Sequence, residues 1–412
     1  MELYQLNQRC SVNTNYESDT FVGIKCENGD FSVHFPLGFQ YSKDEKVLRR
    51  EILLLINSIA STIGHKQSEL KNMSGAYNQT EFPIQAYMAI IHDYYARGYY
   101  KERETQYQIS KKGKINWNRT IKTQKPYVQG NKAFYLDFVT SKNQTNENEI
   151  ITMIHEWCVY DAFEKIGWLF TKDLPMKPRI KFNKKHFIVA INEKLAHTFN
   201  DKNRSLFQNM LAIIEKQGTD DDLNYKYGTY RFEYVWESLI DKVFGIANKD
   251  EYFPKTTWVR PGKKPYDNAS LEPDTIMIYD NDVYVLDAKY YKFGATGRTG
   301  DMPESTSINK QITYGEYIAE TDDFKKKHGT DMKVYNAFIM PFSATSDMWK
   351  SDDDFLYVGE AISSWKTNKN IYERVQGILL DVKHLMSISV RQDESEIMKM
   401  AKCIEDAIME DK

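Results

Sequence analysis

The most constraining feature of this sequence is a pair of short apolar runs on either side of a polar turn. The runs are Thr275–Tyr279 and Val283–Leu286, and Asp280-Asn281-Asp282 separates them. Runs of this length that meet at such a turn are typical of a β-hairpin. If Asp280-Asn281 forms a two-residue loop, Asp274 lies directly opposite Asp287, and directly opposed residues share a face. The hairpin therefore brings two carboxylates together.

Lys289 adds a cation to this pair. Side chains alternate along a strand, so Asp287 and Lys289 emerge on the same face. Two close carboxylates repel each other, and a proton or a cation relieves the repulsion. Mg²⁺ prefers oxygen ligands, and it can polarise a phosphoryl oxygen and lower the pKa of a water nucleophile. Lys289 would orient that water or stabilise the charge that builds on phosphorus. These residue types indicate metal-dependent hydrolysis of a phosphodiester.

Pro-Asp and Asp-x-Lys are common, so the motif alone also fits a chance occurrence. Its position at the end of an apolar run favours a site, because a buried carboxylate–lysine pair is otherwise unusual. Upstream, Glu233 and Glu237 share one face of an amphipathic helix, and either could supply a third carboxylate. Downstream, Lys310, Gln311 and Tyr314 lie at the start of a helix. They could meet the metal site or the scissile phosphate.

The order of a helix glutamate, Pro-Asp, Asp-x-Lys and Gln-x-x-Tyr resembles the PD-(D/E)xK nuclease superfamily. More narrowly, residues 287–291 (DAKYY) after the hairpin resemble the McrC nuclease subunit and the LlaJI-type restriction endonucleases. Residues 114–121 (KINWNRTI) are similar to the LlaJI-type enzymes. The resemblance implies that Asp274 and Asp287 are metal ligands and that Lys289 is the catalytic lysine.

The same resemblance implies a glutamate from the helix as a further metal ligand. Glu237 follows two apolar residues, whereas Glu233 follows Phe232 in the commoner Phe-Glu form. We favour Glu237 slightly and keep both. Gln311 and Tyr314 match a motif that some branches of the superfamily carry on the helix after the core.

Charge is spread unevenly along the 412 residues. The net charge is −3, yet residues 97–125 carry nine Lys or Arg against two Glu. A basic block can form a footprint for phosphates, or it can be an ordinary solvated surface. The candidate DNA contacts are Lys112, Lys114 and Arg119 from this block, and Arg298 from a glycine-rich segment.

Other classes of protein are excluded by what the sequence lacks. There is no run of 18 apolar residues, which argues against a membrane-spanning helix, and no signal-peptide pattern at the N-terminus. The four cysteines are too few and too scattered for a disulfide framework or a zinc site. We therefore expect a cytoplasmic protein without a membrane partner.

Changes in composition predict three regions along the chain. We expect an N-terminal α+β domain that binds DNA or a partner over 1–135, a helical connecting region over 136–218 and an endonuclease domain over 219–412. The last region should be an α/β fold, with a small central mixed sheet flanked by helices as in the PD-(D/E)xK core. Asn28-Gly29 predicts a hairpin, and the polar segment 140–147 predicts a loop.

Together these features indicate a Mg²⁺-dependent restriction endonuclease that cuts double-stranded DNA in defence against foreign DNA. The resemblance to McrC implies an McrB-like AAA+ GTPase as partner, since this chain has no phosphate-binding loop of its own. A free-standing type II restriction enzyme and a non-catalytic adaptor that stimulates an AAA+ GTPase are the alternatives. Cutting both strands needs two active sites, so a homodimer during cleavage is a further expectation.

Overall fold

The computed structural model describes residues 6–65, 78–79, 82–130, 132–146, 149–171, 173–218, 224–268, 270–389 and 393–409. The chain divides into two compact units. The first combines Met1–Glu81 with Asn224–Lys412, and the second is Phe82–Leu223. These limits differ from the predicted boundaries at 135/136 and 218/219, and residue 219 itself lies outside the described residues. The difference arises because strands near the N-terminus pair with a strand that follows residue 224.

The strands in the described ranges are numbered in chain order. They are β1 Cys10–Val12, β2 Val22–Glu27, β3 Asp30–Phe35, β4 Asn78–Gln79, β5 Glu102–Ile109, β6 Lys114–Ile115, β7 Tyr127–Gln129, β8 Lys132–Phe134, β9 Val139–Asn146, β10 Tyr225–Thr229, β11 Thr257–Trp258, β12 Tyr266–Asp267, β13 Thr275–Tyr279, β14 Asp282–Ala288, β15 Val334–Phe342, β16 Phe355–Ala361 and β17 Val375–Asp381.

The α-helices in the same ranges are numbered likewise. They are α1 Glu45–His65, α2 Ile84–Arg97, α3 Trp117–Thr123, α4 Ile150–Ile166, α5 Lys184–Ala196, α6 Asp201–Lys216, α7 Phe232–Phe244, α8 Phe293–Thr296, α9 Ser305–Glu320, α10 Asp322–His328, α11 Val382–Ile388 and α12 Glu394–Met409. None of the helices in the described part of the chain combines the length and the apolar character needed to cross a membrane.

The central sheet of the first unit has the strand order β13-β14-β15-β17-β16. Strands β14, β15 and β17 are parallel, and the outer strands β13 and β16 are antiparallel to their neighbours. Helix α9 covers one face, where Ile312 packs with Phe338 and Val375. Helix α7 packs on the opposite face, where Phe244 meets Phe355 edge to face. The unit is therefore a mixed α/β fold.

A second sheet of the same unit has the order β1-β3-β2-β10-β4. Its β2–β3 hairpin turns at Asn28-Gly29 as predicted, with Glu27 paired to Asp30. Strand β10 is antiparallel to both β2 and β4. Gly23 faces Gly228 in this register, and a Cβ at either position would lie 2.2 Å from a backbone oxygen. This close approach of the two strands requires glycine.

Among its described residues, the second unit combines five α-helices, α2 to α6, with a three-stranded sheet of order β5-β9-β6 and the two-stranded sheet β7-β8. The loop predicted over residues 140–147 is wrong, because residues 139–146 form β9; Glu147 lies outside the described residues. Eight consecutive antiparallel pairs join β9 to β5, from Glu102 opposite Asn146 to Ile109 opposite Val139. Backbone hydrogen bonds thus hold a strand whose sequence lacks apolar alternation.

Candidate active site

Strands β13 and β14 form the hairpin that the sequence predicts, and we call residues 274–289 the carboxylate hairpin. The pairing runs from Thr275 opposite Leu286 to Tyr279 opposite Asp282, which leaves Asp280-Asn281 as a two-residue loop. Asp280 has a φ of 53°, a left-handed conformation that Asp tolerates better than most residues. Extending this register by one residue places Asp274 opposite Asp287.

The two carboxylates are close enough to share a hydrogen bond. Burial raises the pKa of Asp274 well above its usual value, and the negative charges of Asp287 and Glu237 raise it further. The Ala288 N–H opposes this shift by donating to Asp274 Oδ2 at 2.8 Å. A proton or a nearby cation relieves the repulsion between two carboxyl groups in this position.

Lys289 forms an ion pair with Asp287, with its Nζ 2.6 Å from Oδ2. Burial alone would lower the pKa of Lys289, but the Asp287 and Asp274 carboxylates outweigh that effect and raise it. Its backbone N–H donates to Ile339 O at 2.9 Å, which fixes the end of β14 against β15. Lys289 is therefore a fixed cation beside the two carboxylates at neutral pH.

The structure separates the two candidate helix glutamates on α7. The charge of Glu237 acts on Asp274. Glu233 instead forms an ion pair with Arg231, and its charge acts on Tyr290. Of the two, Glu237 is the one that contributes to the electrostatics of the carboxylate pair.

Helix α9 brings the Gln311 and Tyr314 side chains to the carboxylate hairpin, where both bond main-chain oxygens. Gln311 Nε2 donates to Val285 O at 2.7 Å, and Tyr314 Oη donates to Glu272 O at 3.2 Å. Both side chains are buried. These contacts fix α9 against β14 and against the segment that leads into β13. Burial raises the pKa of Tyr314, and the charges of Asp287 and Asp274 raise it further.

Two further lysines lie near the site: Lys310, which the sequence places with Gln311 and Tyr314 at the start of a helix, and Lys249, which was not among the candidates. Lys249 Nζ lies 2.8 Å from Asp241 Oδ1 and donates to the backbone oxygen of Asp274 at 2.5 Å. Lys310 has its pKa raised by a hydrogen bond to Tyr314 and by the charges of Asp287 and Asp274, although burial opposes the shift. The i, i+4 spacing of Lys310 and Tyr314 is a sequence signal for Lys310. No pattern in the sequence points to Lys249.

Tyr290, directly after Lys289, is anchored by the N-terminal segment of the same unit. The Leu37 N–H donates to Tyr290 Oη at 2.6 Å, and Asn15 Nδ2 donates to Tyr290 O at 3.2 Å. The ring also packs against Phe232 of α7, with 5.3 Å between centroids. Residues near the N-terminus therefore help to hold the catalytic lysine candidate in place.

The candidate DNA contacts lie in both units. Arg298 is exposed between α8 and α9, in the first unit. Lys112, Lys114 and Arg119 are exposed in the second unit, where the Arg119 guanidinium carbon lies 3.7 Å from the Tyr107 ring centroid.

The donor set at the carboxylate hairpin fits a magnesium ion. Across the described residues, no group of three or more His, Cys, Asp or Glu side chains is arranged to hold a metal. The ligands on offer are therefore the two carboxylates of Asp274 and Asp287, with Glu237 acting through its charge. Mg²⁺ is commonly bound through one or two carboxylates together with waters and substrate phosphates. The raised pKa of Asp274 is a physical sign of the same demand for positive charge.

This chain is similar to several known proteins. The type II restriction enzyme BsuMI component YdjA of Bacillus subtilis (strain 168) is 25% identical over 329 residues, which cover 74% of this chain and 68% of that protein. Among solved structures, the refined half-complex from the tetradecameric assembly of Thermococcus gammatolerans McrB AAA+ hexamers with bound McrC matches with a TM-score of 0.36 and 15% identity, over 90% of this chain and 81% of that chain. Residues 21–364 match the family described as LlaJI restriction endonuclease. The matched range includes α7, the carboxylate hairpin and α9, and this chain belongs to the LlaJI restriction endonuclease family.

Proposed function

We propose that this chain is the Mg²⁺-dependent DNA endonuclease of a restriction system, with a PD-(D/E)xK core made of α7, the carboxylate hairpin, α9 and β15. The observation that carries the proposal is the meeting of Asp274, Asp287 and Lys289 at the end of a buried strand. Opposed carboxylates cost stability, and a protein that only stimulates a partner has no need of them. The site therefore favours an enzyme over an adaptor.

Each residue has a distinct task in this proposal. Bound between Asp274 and Asp287, Mg²⁺ would stabilise charge on a phosphoryl oxygen and make a bound water more acidic. The Ala288 N–H keeps Oδ2 of Asp274 in a fixed orientation. Lys289 holds a positive charge where negative charge develops on the phosphate, or orients the attacking water. Gln311 and Tyr314 keep the hairpin in register with α9.

We also propose that the chain works as one part of a larger enzyme on double-stranded DNA. The Bacillus subtilis relative is itself a component of a type II restriction enzyme. The resemblance of this sequence to McrC-like subunits supports an McrB-like AAA+ GTPase as the other part. Lys112, Lys114, Arg119 and Arg298 would contact DNA, and a homodimer would form when both strands are cut. A free-standing type II enzyme is the second candidate.

Plasmid cleavage with Mg²⁺ tests the proposal. Asp287→Asn should lower cleavage at least about 100-fold, because it removes a charge that the transition state needs. Asp282→Asn is the matched control on the same strand: its Oδ1 accepts from the Lys333 N–H at 2.8 Å, at the turn end of the hairpin. This variant should cut like the parent chain.

Running the assay with and without any AAA+ protein that is encoded beside this chain, and with GTP, separates the candidates. Cutting that needs GTP and the AAA+ protein supports the two-component enzyme. Cutting by the chain alone supports the free-standing enzyme. Equal cutting by parent and Asp287→Asn would reject the assigned site. No cutting in any condition, with GTPase stimulation intact, would leave the adaptor.

A further inference from the structure

A second hairpin comes directly before the carboxylate hairpin and carries the opposite charge. Strands β11 and β12 pair Thr257 with Asp267 and Trp258 with Tyr266, and we call residues 255–268 the basic hairpin. Every residue from 255 to 267 is exposed. Its charged residues are Lys255, Arg260, Lys263, Lys264 and Asp267, a net +3 in a chain whose total is −3.

The four cations of the basic hairpin have no ion-pair partner among the described residues. The contrast with α10 is direct, since Lys326 there pairs with Asp323 and Lys327 pairs with Glu251. Like charges that are crowded on one short hairpin repel each other, and Asp267 is the single carboxylate within residues 255–268. An anionic partner would relieve this repulsion.

The same hairpin also exposes large aromatic side chains. Trp258 is 64% exposed and Tyr266 is 62% exposed. Because the two residues are directly opposed, their rings stand on one face. Surfaces that bind nucleic acids commonly combine Lys and Arg with exposed aromatic rings. The cations contact phosphates, and the rings contact sugars or bases.

Backbone hydrogen bonds close the base of the basic hairpin a few residues before the carboxylate hairpin begins. The Asn268 N–H donates to Thr256 O at 2.8 Å, and the Leu271 N–H donates to Pro254 O at 2.9 Å. Asn268, at the end of the basic hairpin, precedes Asp274 by six residues, so their Cα atoms are at most about 22 Å apart. At 3.4 Å per base pair, this distance corresponds to about six base pairs of DNA.

We propose that the basic hairpin is an arm that binds the backbone of duplex DNA within about one helical turn of the phosphate to be cut. Its four cations bind phosphates, and the Trp258–Tyr266 face lies against the adjoining sugars or bases. The inference rests on the proposed nuclease function for its choice of DNA. It adds a substrate-binding element that none of the motif residues includes.

The test measures binding of a fluorescein-labelled 40-base-pair duplex to the full chain in EDTA, across a salt series. The test variant replaces Lys255, Arg260, Lys263 and Lys264 with Gln. The matched control replaces four exposed cations elsewhere in the same unit, Lys43, Lys46, Arg50 and Lys402, with Gln. Each lost phosphate contact lowers the slope of log affinity against log salt by about 0.9, so we expect a decrease of about 2 to 4 for the hairpin variant alone.

The aromatic face is tested separately. Trp258→Ala with Tyr266→Ala should weaken binding about tenfold and leave the salt slope unchanged, since apolar contact with the sugars involves no counterion release. Both rings are exposed, so the thermal unfolding of these variants should match the parent and exclude misfolding as the cause.

The outcomes separate this inference from the proposed function. Equal losses of DNA affinity in the hairpin and control variants, or no loss in either, would reject the DNA-binding arm. Failure of the parent chain to bind the duplex would also reject it. So would a hairpin variant that binds DNA normally but no longer responds to the AAA+ protein. Weaker DNA binding by the hairpin variant, together with no cleavage by the parent chain, would support the DNA-binding arm and reject the proposed nuclease function. Normal DNA binding by the hairpin variant, together with cleavage that depends on Asp287, would reject the arm and support the nuclease.

Discussion

The basic hairpin and the carboxylate hairpin follow one another along the chain, but they differ in the sign of their charge and in their burial. The carboxylate hairpin is paired on to β15 and has a largely buried pair of strands, so its carboxylates are held together despite their repulsion. The basic hairpin has strands of two residues, no neighbouring strand and full exposure. Its repulsion is between cations that water surrounds.

The difference shows how burial changes the meaning of like charges. Carboxylates that are held together at one point favour a counter-ion at that point, because the surrounding protein fixes the number and the positions of the possible ligands. Exposed cations on a short hairpin are screened by salt and adapt to a long polyanion. The carboxylate hairpin is therefore suited to chemistry, and the basic hairpin to substrate binding.

The largest expected difference between the two hairpins is in stability. Tyr284 in β14 is fully buried and stacks on Tyr335 with 4.9 Å between centroids. Tyr284→Ala should lower the free energy of unfolding by about 3 to 5 kcal/mol. Tyr266→Ala, in the exposed β12, should change it by no more than about 0.5 kcal/mol. Urea unfolding of both variants provides the measurement, and equal effects would contradict the comparison.

The next largest effect concerns catalysis. Lys289→Gln should lower the cleavage rate about 10²- to 10³-fold, because it removes the cation beside Asp287. Lys292→Gln is the matched control three residues later, where Nζ lies 3.6 Å from the Tyr16 ring centroid. A rate for Lys292→Gln as low as that for Lys289→Gln would show that general positive charge, rather than the ion pair, is what matters.

Substitutions at the two glutamates of α7 test which of them contributes to the carboxylate site. Glu237→Gln should lower cleavage about 10- to 100-fold at subsaturating Mg²⁺, since its charge acts on Asp274. Glu233→Gln should leave cleavage unchanged, since this residue pairs with Arg231. A Mg²⁺ titration of the cleavage rate checks both variants, and a larger loss in Glu233→Gln would reverse the assignment.

The smallest expected effect is the response of unfolding to Mg²⁺. At ten times its dissociation constant, an ion that binds only the folded state stabilises by about 1.4 kcal/mol, which raises Tm by about 2 °C in a chain of this length. The parent chain should show this shift relative to EDTA. A chain with Asp274→Asn and Asp287→Asn should not, at matched ionic strength. An equal shift in both chains would place the ion elsewhere.

The sequence predicted the carboxylate hairpin well because its signals are local. Two apolar runs around Asp280-Asn281 determine both the turn and the register, so the opposition of Asp274 and Asp287 followed by counting. Whether Glu233 or Glu237 faces that pair depends on how α7 rotates against the sheet, and packing decides this rotation.

Other features left no local signal. The basic hairpin has no apolar alternation, because neither of its faces is buried. Strand β9 is polar for the same reason, and its sequence read as a loop. Lys249 reaches the Asp274 backbone from a separate segment, and only the folded chain brings the two together. Long-range contacts and exposed strands could therefore not be predicted from the sequence.

The pairing of β10 with β2 has a consequence for how the chain folds as it is made. About 200 residues separate the two strands, and synthesis at about 5 to 20 residues per second takes about 10 to 40 s to cover them. During this time the β2–β3 hairpin has an open edge where β10 will later bind. Residues 82–223 are complete before that edge is closed. The second sheet of the first unit is therefore completed only after the residues inserted between β4 and β10 have been synthesised. The strands on the two sides of this insertion, β4 and β10, then pair with each other.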